Sequence, residues 1–512
     1  MSINQPILAP IVLLLSGIVL PLLGFRGRRL AHPLAVTATA AAAGFSLVNA
    51  FHLLGSGSVH YHFGGWPAPI GIEYVLDPLS VFITAVINVI AFIVLIHAGK
   101  IVGREIPEHR HVPYFALVLL FLCGCNGIVL TGDLFNLYVF LEISSLALYG
   151  LIAVGDKRSP VAAFRYLIMG TVGGGFYLLG VGFLYIGTGS LNMADVKAIL
   201  PSLGSQPLAV VALSLMVLGL GIKMALFPLH GWLPDAYTHA PSSSSAVMAP
   251  VGVKIGAYGI LRILYFVFGL KFVTEVFPIS QTIAWLSAAA ILYGSIMAMA
   301  QDEMKRLLAY SSVAQMGYIG LGIGLANPMG LIGAVLHVLN HGLMKAALFL
   351  VAGNFRYRLG HSDLRRLNLS VRKKMPWTSA AFVVGALSMI GVPPTVGFFS
   401  KWYLALGTID GGRWHFLVVI LVSSLLNAVY FFRIIERMFF KPIAAQETEK
   451  SGKDVVAEED GSSAEADARE DAPASMLIPT LVLALLLIVM GLLNFWIVKG
   501  ILYKILPPGM TL

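Results

Sequence analysis

Seven side chains that can take up and release a proton stand inside long apolar runs of this sequence: Glu142, Lys223, Lys254, His337, His341, Lys345 and Lys401. An ionisable group at the centre of a bilayer costs on the order of 3 kcal/mol or more and is normally kept for function. Glu142 lies eight residues into its run and Lys223 fifteen into its own, depths of roughly 12 and 22 Å at the rise of an α-helix, so neither reaches water by extending its side chain. A buried ion pair that only fixes helix packing accounts for one acid and one lysine. It leaves at least three of the four lysines without a carboxylate. Burial penalises an uncompensated charge, which suits such an amine to exchange its proton. The chemistry these residues point to is proton carriage.

The run AVLHVLNHGLMKAALFL strengthens this reading. His337, Asn340, His341 and Lys345 stand at helical offsets that share one face, a polar stripe on an otherwise apolar helix and the pattern of a hydrated proton wire. Two runs are interrupted beside their lysines, at GLGIKMALFPLHGWLP by Pro228 and at GVPPTVGFFSKW by Pro393 and Pro394. Proline removes a helix hydrogen bond, which frees backbone carbonyls and makes room for water next to the charge. Broken helices at corresponding places in two halves point to an inverted repeat with ion sites at the breaks. The alternative is that these prolines only kink helices for packing. His230, Trp232, Asp235 and His239, after the first break, suit either a proton entry or an ordinary wet helix end.

The elements that carry these groups follow from composition. Of 512 residues, 58% are hydrophobic and 12% charged, with a mean hydropathy of +0.85, far too apolar for a domain that covers its surface in water. Fourteen apolar runs of about twenty residues, each long enough to cross roughly 30 Å of hydrocarbon, can be marked between residues 7 and 500. The expected fold is an all-α polytopic membrane protein of about 14 transmembrane helices, with two inverted five-helix repeats. Residues 1–112 hold helices 1–3, 113–269 the first repeat, 281–441 the second, 442–475 a loop, and 476–512 the last helix. The first run lacks a small-residue cleavage site and is expected to stay as a helix.

Bases mark orientation, because basic loops stay in the cytoplasm. Arg26, Arg28 and Arg29, then Lys100, Arg104 and Arg110, then Lys157 and Arg158 fall in alternate loops, followed by Lys305 with Arg306 and by seven bases between Arg356 and Lys374. The opposite loops offer only Lys197, Lys271 and Arg413. Both termini are therefore expected outside the cytoplasm. The stretch from Ala444 to Ser475 carries ten acids against three bases, a net −7 that leaves +16 on the rest. Rich in Ala and Ser and nearly free of aromatics, it is expected to be a disordered solvated loop. Cys123 and Cys125 are too few for an iron–sulfur cluster and read as small core residues. Neither a phosphate loop, a haem signature, a metal-ligand cluster nor a nucleophile–base pair can be read, so no cofactor, no metal, no nucleic-acid partner and no covalent catalysis are expected.

The runs TGDLFNLYVFLEISSLALYGLIA and GIKMALFPLHGWLPDAYTHAPSSSSAVMAPVGVKIGAYGILR resemble the antiporter-like subunits of respiratory complex I and of Mrp-type cation/proton antiporters. DEMKRLLAYSSVAQMGY, HVLNHGLMKAALFL and GVPPTVGFFSKW continue the likeness in the same order, over nearly the whole chain. Lysine at 401, the segment HYHFGGWPAPIGIEYVLDPLS and a length near 500 are most similar to the Mrp-type D component and its hydrogenase relatives. The long acidic loop after Lys441 departs from that pattern and bears only on partner contacts.

The resemblance implies that Glu142 tunes Lys223 electrostatically, and that Lys254 and His341, with His337 and Lys345 nearby, pass a proton laterally to Lys401. It further implies a subunit of a hetero-oligomeric sodium/proton antiporter in a bacterial or archaeal cell membrane, with other membrane subunits, H+, Na+ and the lipid bilayer as partners. The alternative is a proton-pumping membrane subunit of a redox complex, an NADH:quinone oxidoreductase or a membrane-bound hydrogenase, whose electron chemistry lies in other subunits. A stand-alone solute carrier is disfavoured, because the polar groups form a stripe rather than a pocket.

Overall fold

The computed structural model describes residues 5–53, 57–203, 206–440 and 470–510. Of the acidic loop, residues 441–469 lie outside the described residues. Three helices open the fold, α1 (Leu8–Leu22), α2 (Gly24–Leu53) and α3 (Pro78–Glu105). Asp77 caps α3 by accepting from the Ser80 N–H, and Ser80 Oγ accepts from the Asp77 N–H in return.

The first five-helix set comprises α4 (His111–Leu130), α5 (Leu134–Ala153), α6 (Ser159–Thr188), the pair α8 (Gln206–Met224) and α9 (Leu233–His239), and α10 (Ser242–Leu261), with α7 (Met193–Ile199) a short helix between α6 and α8. The second comprises α11 (Ile279–Met299), α12 (Met304–Leu325), α13 (Pro328–Leu359), the pair α15 (Pro376–Ile390) and α16 (Val396–Asp410), and α17 (Trp414–Phe439), with α14 (Leu369–Lys374) linking α13 to α15. Helices α18 (Ala474–Leu492) and α19 (Asn494–Gly500) close the chain. In each set the fourth member is broken. An odd number of crossings separates the two sets, which makes them inverted in a membrane.

Twelve of the described helices are long and apolar enough to cross a bilayer. Helix α12 is long enough at 22 residues but carries Lys305, Arg306, Gln315 and paired serines. Helices α15 and α16 have 15 residues each and span only together. Those two crossings complete the fourteen expected.

Burial sorts the helices. Helices α10, α12 and α13 bury almost every side chain, including their lysines, and form the axis of the molecule with α3. The outer helices turn apolar side chains to the lipid and polar ones inward, the reverse of a soluble protein. Along α17, Val418, Leu421, Leu425, Val429 and Phe432 are exposed while Ser423, Asn427 and Tyr430 are buried. Small residues set the closest contacts: a Cβ on Gly219 of α8 would stand 2.4 Å from the Gly173 carbonyl of α6, so glycine here lets the two backbones touch. A two-stranded antiparallel hairpin, β1 (Val59–His62) with β2 (Glu73–Leu76), lies opposite the basic loops. It fastens the start of α5, since the Gly132 N–H donates to the Glu73 carbonyl at 3.0 Å and Asn192 Nδ2 donates to Glu73 Oε1 at 2.7 Å.

One local expectation is located and one corrected. The interruption expected beside Lys223 falls at Met224, where α8 stops, Ala225 takes a left-handed φ of 57° and Pro228 follows. Lys305, read as a loop base, is fully buried in the first turn of α12, because the junction between α9 and α10 folds over it and the Ala240 carbonyl accepts from its ammonium.

Candidate proton-transfer site

The break after α8 shapes the first station. Its last turn loses continuing i→i+4 hydrogen-bond partners, and the Ile222 carbonyl accepts instead from the Ala225 N–H at 3.1 Å and the Trp232 indole N–H at 2.9 Å. Trp232 is held by stacking on Tyr166, 3.8 Å between ring centres. Lys223, one residue before the helix stops, points between α5 and α6. Its Nζ donates to Ser145 Oγ at 2.6 Å and lies 4.0 Å from Glu142 Oε1. Glu142, Ser145 and Tyr149 share one face of α5 at offsets of three and seven. Two glycines of α6 make room for this face. A Cβ on Gly174 would meet Glu142 Oε1 at 2.3 Å, and one on Gly170 would meet the Tyr149 hydroxyl at 2.1 Å.

Lys254, 1% exposed, donates to the Ala249 carbonyl of its own helix and has no carboxylate partner among the described residues. Its helix, α10, packs against α13, which carries His337, His341 and Lys345. The stripe on α13 faces inward as its spacing predicts. His337 is fixed on both sides, Nε2 to Gln315 Oε1 of α12 at 2.9 Å and Nδ1 to Ser400 Oγ of α16 at 2.8 Å. With the amide in that orientation, Nε2 carries the proton and Nδ1 accepts from the serine hydroxyl. Asn340 Nδ2 donates to the Val396 carbonyl at 2.7 Å. Lys345 donates to the Leu308 carbonyl at 2.7 Å and to Ser311 Oγ, both on α12. His341 stacks beside His337, 5.9 Å between ring centres, and both of its buried ring nitrogens lack a hydrogen-bond partner.

The second break builds the last station. Lys401 donates to the carbonyls of Met389 and Ile390 at 3.0 and 2.9 Å and to Ser424 Oγ at 3.2 Å, and its ammonium lies 5.1 Å from the centre of the Tyr318 ring. Met389 and Ile390 are the last residues of α15, so the ammonium caps the carbonyl end of a half-helix, where the helix dipole is negative.

Six of the sequence-predicted groups are therefore buried across the two sets, Glu142 is partly exposed beside Lys223, and in this band of seven only Glu142 and Lys223 form an ion pair. Direct hydrogen bonds do not join one station to the next. The three unpaired lysines are held by carbonyls and hydroxyls, so the ion-pair alternative covers only the first. Reading for ionisable types alone misses the neutral partners Ser145, Ser311, Gln315, Tyr318, Ser400 and Ser424. Their signal is spacing: Ser311, Gln315 and Tyr318 share a face of α12 as Glu142, Ser145 and Tyr149 share one of α5. After the first break, His239 Nδ1 pairs with Asp156 at 2.9 Å and Asp235 with Arg165 at 2.6 Å, while His230 packs against Phe227 and Tyr293. Those four residues form no continuous group. Among the described residues no cluster suits a metal ion, and both cysteines are free and buried.

The family model described as NADH:quinone oxidoreductase/Mrp antiporter, transmembrane, matches residues 131–427. The chain belongs to this family. The matched stretch contains all seven groups of the band. The N component of NADH-quinone oxidoreductase from Desulforudis audaxviator is 47% identical over 511 residues, covering 96% of this chain and 97% of that protein. The D component of the Na(+)/H(+) antiporter from Bacillus subtilis is 32% identical over 378 residues, covering 74% of this chain and 75% of that protein. Among solved structures, a chain of the membrane-bound sulfane sulfur reductase, an archaeal respiratory membrane complex, superposes with a TM-score of 0.87 at 29% identity, covering 98% of this chain and 97% of that one. The antiporter and redox branches of the family are both represented, and the likeness does not favour either.

Proposed function

We propose that this chain carries protons through and along the membrane as one subunit of a larger membrane assembly. The observation that supports this best is that three of the four buried lysines, Lys254, Lys345 and Lys401, are held by carbonyls and hydroxyls rather than by carboxylates. An amine held in that way loses its proton without leaving a buried carboxylate unpaired, and it regains its contacts when reprotonated. Glu142 sets the electrostatic field at Lys223. Lys254 and His341, with His337 and Lys345, pass the proton on to Lys401. His337 is suited to the step because its two nitrogens face different helices, so a proton arriving on Nδ1 is matched by one leaving Nε2. The basic loops are taken to be cytoplasmic, which places both termini on the outer side.

Two couplings fit this path. In the first, favoured by the likeness to the antiporter D components, inward proton movement is exchanged for an outward cation, sodium being the expected one. In the second, favoured by the likeness to the oxidoreductase N component, electron transfer in partner subunits drives the protons. The test is ion-driven proton movement in inverted vesicles bearing the complete assembly, with native Lys223 or Lys223→Ala. Dye dequenching on adding sodium, lost in the variant, supports exchange. Acidification on adding an electron donor, also lost in the variant, supports the redox arm. Unchanged transport in Lys223→Ala refutes the path itself.

A further inference from the structure

On the basic face, a cavity of about 300 Å³ lies between the ends of α3 and α13, the α5–α6 turn and the junction of α9 with α10. Its wall carries Glu105, Asp156, Arg356 and the Ala240 backbone. Glu105 is organised for the site: it accepts from the Ser242 N–H at 2.6 Å and Ser242 Oγ at 2.7 Å, and pairs with Arg356 Nε at 3.1 Å. Behind Ala240 stands Lys305, fully buried, whose Nζ donates to the Ala240 carbonyl at 2.5 Å. No carboxylate pairs with Lys305 within 4.0 Å among the described residues. On its inner side, one and two turns further along α12, lie the Leu308 carbonyl and Ser311 Oγ, the acceptors that hold Lys345. Those turns amount to about 5–9 Å of helix.

We propose that this cavity is the port through which the proton band exchanges with water on the basic face, and that Lys305 is its gate, handing protons between the cavity and Lys345 along α12. The proposal rests on the proton-carrying reading above. Three features carry it: an open polar cavity, a buried unpaired amine separated from it by one carbonyl, and a shared stretch of α12 leading from that amine to the band. A lysine present only to fasten Ala240 needs neither the cavity nor a place one turn before the segment that holds Lys345.

The test uses the complete assembly in inverted vesicles, where the basic face is outward, with Lys305→Gln, Lys305→Arg and, for comparison, Lys223→Ala. Co-purification of partner subunits is measured alongside proton movement. Arginine keeps the charge and the bond to Ala240 but does not release its proton. Both Lys305 variants are expected to assemble and to transport at less than a tenth of the native rate. Native transport in Lys305→Arg gives Lys305 a fastening role and overturns the port, as does native transport in Lys305→Gln. Failure of both variants to assemble overturns it too. Loss in Lys223→Ala with native transport in the Lys305 variants refutes the port alone, whereas native transport in Lys223→Ala refutes the underlying reading.

Discussion

Replacing Gly174 by alanine tests the tuning of Lys223 without removing any titratable group. The new Cβ would stand 2.3 Å from Glu142 Oε1, so the carboxylate must retreat by about 1 Å to reach an ordinary carbon–oxygen contact. The ion pair then opens from 4.0 Å to about 5 Å. At an effective dielectric constant of about 20, the attraction falls from about 4 to about 3.3 kcal/mol, a loss of about 0.8 kcal/mol or roughly fourfold in the equilibrium that loads Lys223 with a proton. Proton movement in vesicles at fixed pH is expected to fall by about threefold to fivefold. Gly175→Ala is the control: its Cβ meets nothing within 4 Å, yet it carries the same gain in helix propensity of roughly 0.5–1 kcal/mol. Equal rates in the two variants would refute the electrostatic role of Glu142, because the displacement would then have had no consequence at Lys223.

Further outcomes follow from the same geometry. Ser400→Ala removes the hydrogen bond at His337 Nδ1 and is expected to slow transport at least tenfold while costing only about 1 kcal/mol of stability, read as a small drop in the melting temperature of the purified assembly. Asp77→Asn leaves the buried Arg262 guanidinium without its carboxylate and is expected to destabilise the protein by about 3–5 kcal/mol, read as lost assembly in detergent. At Asp156, burial works to raise the carboxyl, but hydrogen bonds from His239 and the Arg158 N–H hold it below its ordinary value. Its contribution to stability is therefore present above the ordinary carboxyl pKa of about 4 and is lost as pH falls through the lower folded value. Native protein and Asp156→Asn are expected to differ in thermal stability at neutral pH and to converge in acid.

Much of the fold is legible because a bilayer asks little of a sequence beyond length and apolarity. The run at 134–154 becomes α5 within a residue, and the run at 243–269 becomes α10 with its π-helical continuation to Phe268. Legibility fails where local backbone events decide. Pro228 announces that α8 is interrupted, but the stop at Met224 itself depends on Ala225 adopting a left-handed conformation, which no alanine announces. Lys305 reads as a loop base because it precedes an apolar run, and only the packing of the α9–α10 junction buries it. At the site, charged types are visible as breaks in hydropathy. Ser145, Gln315 and Ser400 are not, since serine is common in membrane helices, one uncharged amide leaves an apolar run recognisable, and their partners come from other helices.

The two lysines beside the broken helices are not equivalent, and this bears on direction. Lys223 precedes its break and is opposed by a carboxylate on α5; Lys401 follows its break and is opposed by the carbonyl end of α15. The run LEISSLAL in α5 is matched by LAYSSVAQ in α12, with Ala309 in the register of Glu142, so the second half keeps the paired serines and lacks the acid. A carboxylate can be neutralised by a proton, or drawn away with the helix that carries it. The carbonyl end of a helix carries no titratable group and moves only with its helix. On the path proposed above, Lys223 therefore faces a group that can change its charge and Lys401 one that cannot, which singles out the Glu142–Lys223 pair for coupling.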